Sequence, residues 1–412
     1  MPTAGAATDG MVIVRDPHTT SLKASRRAAV GLLLGTPLLA ACSGVQQSLT
    51  NQFGQQPPPP NAAGPAPQPE AIGTGRVKVG LVLPLTGPGN AGVVAQSMRN
   101  AAEMALAEFR NADIQLLVKD DAGNAQGAQT ATQQAIDEGA EIILGPLFAA
   151  SVPAAAQVAR ARGITVVAFS TDASVAGRGV FLLSFLPESD VNRIISYASS
   201  VGKRSYAALI PDNAYGNVVE AAFKQQVSRL NGRVVVFERY GADRAGPARS
   251  VAQALANADS LLLADDGDAL AGVADALTAA GADLKRVQLL GTGLWDNPRV
   301  FATPALQGGL FAAPDPSGFR AFSGRYRAKY GQDPVRTATL AYDAVALIAA
   351  LARAQPGQRF TAEVLTNPSG FTGIDGLFRF RADGTNERGL AVMRAAPGGP
   401  QPVAGSPKSF GA

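Results

Sequence analysis

Between residues 77 and 110 two hydrophobic patterns follow each other closely. Val77, Val79, Leu81, Val82 and Leu83 form a short apolar run rich in β-branched side chains. Such a run suits a strand covered on both faces, as in a parallel sheet. Pro84 ends it, because proline has no N–H to give to a ladder, and Thr86-Gly87-Pro88-Gly89 turns the chain. Met98, Ala101, Ala102, Ala105, Leu106 and Phe109 then recur at helical spacing, with Arg99, Glu103 and Glu108 off the stripe. A strand passing through a turn into a helix opens a βαβ unit, and in open α/β sheets ligands sit beyond the carboxyl ends of such strands.

The alternation continues along the chain. The pattern predicts strands at 114–119, 141–144, 164–169, 180–185, 206–210, 233–239, 260–263 and 287–290. Helices are expected between them at 125–138, 150–162, 187–200, 215–230, 247–257 and 269–280. Two more helices are expected at 318–330 and 337–354. Residues 377–380 and 390–394 read as a closing hairpin around Asp383-Gly384-Thr385-Asn386. This is more parallel strand than one compact sheet usually holds, so an α/β architecture of two Rossmann-like lobes is expected, joined by crossovers with a cleft between them. The first lobe is expected over 76–186 and 318–362, the second over 187–317 and 363–396, and a flexible tail over 397–412.

The N-terminal part reads differently. Lys23, Arg26 and Arg27 precede an apolar run at 28–41, a charged region followed by a hydrophobic one of signal-peptide length. Residues 1–41 are therefore read as a signal peptide, with Met11 as an alternative start. Leu39-Ala40-Ala41-Cys42 resembles a bacterial lipobox, which would make Cys42 the lipidated first residue of the mature chain. Two or three acyl chains hold a membrane far better than one. Ser43, by the sorting rule of Gram-negative lipoproteins, points to the outer membrane. Residues 42–75 are clustered prolines and small side chains, a tether that cannot bury enough surface to fold. Fully extended it would reach roughly 100 Å.

Composition narrows the chemistry. The chain has 412 residues, 46% hydrophobic and 17% charged, with a net charge of +4 that partly belongs to the leader. No basic stripe argues for a nucleic-acid partner. His18 is the only histidine and Cys42 the only cysteine, so the folded region has no Ser-His-Asp arrangement, disulfide framework or Cys-based zinc site. There is no P-loop, and no cofactor is expected. Asp265-Asp266-Gly267-Asp268 lacks the spacing of an EF-hand loop and reads as a solvated strand end. These features argue for binding rather than catalysis.

Several segments together resemble the type I periplasmic binding proteins of the leucine/isoleucine/valine-binding family. They are VGLVLPLTGPG with SMRNAAEMALAEF, ILGP at 143–146, VVAFST at 166–171 and DNAYG at 212–216. Within that family GPLFAASV (145–152), LLGTGLWDNP (289–298), ALQGGLFAAPDP (305–316), LAYDAVAL (340–347) and GIDGLFRFRADGTNERGLAV (373–392) are most similar to lipoproteins called penicillin-binding protein activators. Fuller activators carry an N-terminal helical-repeat domain, where this chain has its tether. The resemblance implies a small polar ligand of the amino-acid class in the interlobe cleft and an ABC permease as partner. The alternative it implies is a protein contact with a penicillin-binding protein that stimulates peptidoglycan synthesis.

A zwitterionic ligand offers a carboxylate, which suits helix N-terminal N–H groups and hydroxyls, and an ammonium, which suits carboxylates. Hydroxyls at strand ends of the first lobe are Ser151, Ser170 and Thr171, and the resemblance places the ligand carboxylate at the loops 147–151 and 170–171. On the second lobe it places a cleft aromatic at Tyr215. Asp265, Asp266, Trp295 and Asp296 end the two later strands, and one acid could face the ammonium. Structural roles stand beside these: Ser151 as a helix N-cap, Asp296 as the cap before Asn297-Pro298, Trp295 as interlobe packing.

Overall fold

The computed structural model describes residues 71–410; the leader, Cys42 and the tether as far as residue 70 lie outside the described residues. The first run comprises β1 (Ala71–Ile72), β2 (Val77–Leu83), α1 (Ala91–Glu108), β3 (Ile114–Asp120), α2 (Ala125–Asp137), β4 (Ala140–Leu144), α3 (Val152–Ala161), β5 (Thr165–Ala168) and β6 (Val180–Leu182). It forms a six-stranded sheet in the order β1-β3-β2-β4-β5-β6, parallel except for β1. The apolar run in β2 has the expected cause. Val79, Leu81 and Leu83 pack with Ala95, Met98 and Ala102 of α1, while Val82 belongs to a second cluster with Ala135 of α2 and Ala156 of α3. Gly80 lies against α2, where an added Cβ would sit 2.9 Å from the Ala135 Cβ. Only glycine lets that helix press so close to the strand.

The chain crosses at 183–186 into a second lobe. There α4 (Pro187–Ser200), β7 (Ser205–Pro211), α5 (Ala214–Arg229), β8 (Arg233–Tyr240), α6 (Ala245–Ala254), β9 (Ser260–Leu263), α7 (Gly267–Ala279), β10 (Gln288–Gly291), α8 (Pro298–Ala302) and β11 (Leu310–Ala313) follow in order. Helices α4 and α5 share one apolar cluster with the sheet, and α6, α7 and α8 another. The chain then returns. Helix α9 (Pro316–Tyr330) packs Phe322 and Tyr326 against Ala101 and Met104 of α1, and α10 (Ala338–Leu351) lies along α1 in the first-lobe core.

The C-terminal part departs from expectation. After α11 (Ala362–Leu365) come β12 (Phe371–Gly373), β13 (Gly376–Phe380), β14 (Asn386–Arg388), β15 (Ala391–Ala396) and β16 (Gly399–Ala404). The expected hairpin of 377–380 with 390–394 does not form: β13 pairs with β14 and β12, and β15 pairs antiparallel with β11 of the second sheet. Alternation decides this. Phe378 and Phe380 point to one face, and both are buried in the first-lobe core, Phe380 with its ring centroid 5.5 Å from that of Phe181. Residues 371–388 therefore belong with the first lobe, and only β15 and β16 join the second.

The tail is not free. β16 pairs with β15 and completes a seven-stranded sheet, β16-β15-β11-β10-β9-β7-β8. Pro400 and Pro402 are tolerated there because an edge strand has outward positions that need no N–H. Phe410 lies 4.5 Å from the Arg379 guanidinium. At the other end, Ala71 and Ile72, read as the end of the tether, pair with Leu117 and Leu116 of β3. Both segments lack long apolar runs, so only the waiting sheet edges account for their order.

Candidate ligand-binding cleft

Strands β2 to β5 of the first lobe end in loops that form one lip. The Thr86 hydroxyl donates to Asp120 Oδ2 at 2.5 Å, and the N–H groups of Thr86 and Ala122 donate to Oδ1 at 3.2 and 2.9 Å. A Cβ on Gly123 would lie 3.3 Å from Phe148 and 3.5 Å from Pro88, so the loops after β2, β3 and β4 touch at this point. Gly145 has φ +102, and a Cβ there would fall 2.0 Å from the Val82 carbonyl oxygen. No other residue fits, and this fixes where the 145–151 loop leaves the sheet.

Ser151 stands before α3 with helical backbone angles and does not cap it. Its side chain is fully buried and its hydroxyl has no partner among the described residues. Ser170 Oγ accepts the N–H of Asp172 at 3.1 Å, and Thr171 beside it is half-buried.

The second lobe presents acids around Tyr215. The Tyr215 hydroxyl is hydrogen-bonded to Thr292 Oγ1 at 2.8 Å. Burial holds it well above the ordinary phenol range; the Thr292 bond opposes this, while Asp190, Asp265 and Glu188 add repulsion. Asp265 Oδ2 accepts the Tyr240 hydroxyl and its Oδ1 the N–H of Asp266 at 2.8 Å. Burial raises its carboxyl. Asp266 is a helix cap, accepting the N–H groups of Asp268 and Ala269 at 3.0 and 2.9 Å. Asp296 is exposed, yet protein crowding raises its carboxyl against the pull of Arg336 from the first lobe. It does not cap α8; Asn297 does, accepting the Arg299 N–H at 2.9 Å.

Trp295 is neither a cleft wall nor interlobe packing. It has no exposed surface, and its indole N–H donates to the Leu263 carbonyl at 2.8 Å. Its ring fills a slot between two glycines: a Cβ on Gly291 or Gly309 would lie 2.3 or 2.4 Å from the indole. It belongs to the second-lobe core with Phe301 and Phe311.

The sequence reading missed Glu188 and Asp190. Both stand in the first turn of α4, where acids are ordinary, so nothing set them apart. Asp190 Oδ2 accepts the N–H of Gly293 at 2.8 Å. Burial pushes its carboxyl up to about 7, opposed by that bond and reinforced by Glu188.

The crossings are stitched by charged side chains that were also missed. The Ser184 carbonyl accepts from Arg388 Nε and Asn386 Nδ2, both at 2.8 Å. The Phe185 ring lies 4.6 Å from the guanidinium groups of both Arg336 and Arg388. Arg336 in turn grips Asp375 at 2.6 and 3.0 Å, and the Thr339 hydroxyl donates to Asp375 Oδ2 at 2.6 Å. Burial works to raise the Asp375 carboxyl, but Arg336, with Arg388 and the Thr339 hydroxyl, outweighs it and holds the group below the ordinary carboxylate range. The signal available was Gly373 to Asp375 after an apolar helix, too short to mark a hinge.

Asp121, at the end of β3, is buried, with Oδ1 accepting the Gly123 N–H at 2.8 Å and Oδ2 unpartnered among the described residues. Burial pushes its carboxyl up to about 6, that hydrogen bond opposing and Asp120 adding repulsion. The unfolded carboxyl ionises near about pH 3.9. Between about pH 4 and 6 the folded chain therefore binds the extra proton, and stability falls as pH rises. Asp121→Asn keeps an acceptor for Gly123 and removes the titration. Urea unfolding across this window should show a flatter pH dependence than in the unsubstituted protein.

The described residues thus form two α/β lobes with polar residues at the carboxyl ends of their strands. A family model described as periplasmic binding protein matches residues 76–400, and the chain belongs to that family. Its fold is that of the type I members. A putative branched-chain amino acid ABC transporter protein from Rhodospirillum rubrum is similar at 20% identity, with a TM-score of 0.70 over 79% of this chain and 99% of that one. The leucine-binding protein of Thermotoga maritima is similar at 21%, with a TM-score of 0.56 over 80% and 98%. A solute-binding protein from Rhodopseudomonas palustris, solved with 3,4-dihydroxybenzoic acid, is similar at 19%, with a TM-score of 0.58 over 81% and 97%. At these identities the common property is the fold. No curated protein matches the sequence significantly.

Proposed function

We propose that this is a periplasmic solute-binding protein of ABC-transporter type, closing over a small polar ligand of the amino-acid class and held to the outer membrane by lipid on Cys42. The observation that carries the ligand reading is Ser151, whose buried hydroxyl at the start of α3 has no partner among the described residues. A buried hydroxyl without a partner is costly, and a ligand carboxylate there would also meet the free N–H groups of the helix. Opposite it, Tyr215 and the second-lobe acids supply a face for an ammonium. Ser170, Thr171, Asp265 and Asp296 complete the candidate contacts, while Asp266 serves its helix. The names of the similar structures, which include amino-acid and aromatic-acid binders, agree with a small carboxylate-bearing ligand.

Calorimetry against amino acids and small peptides tests this. A ligand should bind, and Ser151→Ala should weaken it by about three- to tenfold, the worth of one hydrogen bond. A folded protein that binds none of them, or binding indifferent to both Ser151→Ala and Tyr215→Ala, would sink the reading.

A second reading has its own support in the activator-like segments, one of which, 373–392, runs from β12 to β15 and so spans the last crossing. Here the lobes would present a surface to a penicillin-binding protein. Purified protein that neither binds nor stimulates a bifunctional penicillin-binding protein would remove it.

A further inference from the structure

The last strand brings the chain back to the hinge. β15 starts just after the last crossing, and β16 runs antiparallel to it, with Ala396 opposite Gly399 and Val392 opposite Ala404. An antiparallel partner returns to where its neighbour began, so Gly405 arrives beside the crossing. Arg193 of α4 marks the place. Its Nε donates to the Leu390 carbonyl at 2.7 Å and its Nη2 to the Gly405 carbonyl at 3.4 Å. One second-lobe side chain thus holds both the crossing and the start of the tail.

Beyond Gly405 the tail leaves the second lobe. Pro407 lies against the crossing itself, where a Cβ on Gly389 would sit 3.0 Å from the Pro407 Cγ. Phe410 ends on the first lobe. Its ring lies 4.5 Å from the Arg379 guanidinium of β13, and a Cβ on Gly370 would sit 2.9 Å from its Cε2. Arg379 is itself fixed, donating from Nε to Glu387 Oε2 at 2.9 Å and from Nη1 to the Pro368 carbonyl at 3.2 Å. The seat of Phe410 is therefore made by β13, β14 and the turn before β12, all on the first lobe. Gly370 leaves room in it for the ring.

The other three connections between the lobes are continuous chain with strands or helices on both sides. The tail is fastened at its far end only by a half-buried ring on a partly exposed guanidinium. Such a contact is weak, so it can open without unfolding either lobe. β16 fixes the start of the tail to one lobe and Arg379 its end to the other, so rotation of the lobes moves these two points relative to each other.

We infer that residues 405–410 form a releasable strap across the hinge, with Phe410 as its catch, which holds the lobes in the arrangement of this structure. The strap acts whatever the cleft binds, and so goes beyond the solute-binding reading.

The test is the distance between paired spin labels, measured by pulsed electron paramagnetic resonance in the full chain carrying Cys42→Ser, which removes the only native thiol. One pair spans the lobes, Gln129→Cys on α2 with Gln225→Cys on α5. A control pair, Gln129→Cys with Ala107→Cys on α1, lies within the first lobe; all three positions are exposed. Phe410→Ala should raise the share of molecules away from the original interlobe distance by about two- to fivefold, the worth of one exposed cation–π contact. A chain ending at Ala404 should raise it at least as much, Phe410→Tyr should leave it unchanged, and the control distance should stay the same in all of them. Interlobe distances unaltered by both Phe410→Ala and the truncation overturn the strap. Equal broadening of the control pair also overturns it, because the tail would then support the folding of the first lobe and not its relation to the second. If the truncated chain does not fold, Phe410→Ala decides alone.

Discussion

Replacing Trp295 with alanine is expected to lower the unfolding free energy by about 3–5 kcal/mol, the range for losing a large buried aromatic. The side chain has no exposed surface, and the slot between Gly291 and Gly309 cannot collapse, because two backbone segments form its walls. The substitution also strands the Leu263 carbonyl that accepts the indole N–H. Trp295→Phe should cost less, since it refills part of the slot and loses chiefly the hydrogen bond. Denaturant unfolding gives the comparison. Ligand affinity, measured under conditions where the variant is still folded, should change little. A Trp295→Ala protein of ordinary stability that no longer binds ligand would show that this residue lines the cleft after all.

The second large effect is expected at Asp375. Its carboxylate takes both hydrogen bonds from Arg336 and one from Thr339, and its side chain is fully buried. Asp375→Ala should destabilise the protein by about 3–5 kcal/mol, because it leaves the partly buried Arg336 charge uncompensated. The consequence should extend beyond stability. Arg336 also lies against Phe185 in the first crossing, and its charge draws the Asp296 carboxyl down, so a released guanidinium perturbs both. Replacing both partners, as in Arg336→Met with Asp375→Leu, should recover most of the loss, since an apolar pair needs no compensation. Thermal and urea unfolding of the two single variants and the double variant form the test. Additive losses in the double variant would show that the pair does not act as a unit.

Most strands and helices of both lobes were legible because their signals are local, although β11, four residues between β10 and β15 in the second sheet, was not expected. The run from Val77 to Leu83 is apolar at consecutive positions only because both sheet faces are covered, and that cover shows in the residues themselves. The family was legible for a related reason: its signature segments are strand ends and turns, where glycine, proline and hydroxyl residues are demanded by backbone geometry. Gly145 is one such residue, required by the Val82 carbonyl. The site was legible only in part. Ser151 and Asp296 were singled out because they follow strands, and Tyr215 because the family resemblance places an aromatic there. Glu188 and Asp190 were passed over because acids in a first helical turn need no further explanation.

Local pattern thus determined the fold class, the two-lobe division and the absence of triad chemistry in the folded region. Tertiary structure decided the rest. A tryptophan after a strand reads equally well as wall or core until the glycines flanking its slot are brought together from residues 291 and 309. Phe378 and Phe380 carry strand alternation but no address, and the first lobe claims them because Phe181 waits there. Two short end segments become strands only because sheet edges stand open beside them. The hinge is the clearest case. Arg336, Asp375, Phe185 and Arg388 come from four separate stretches of chain, and a buried charge has no meaning until its partner is in place.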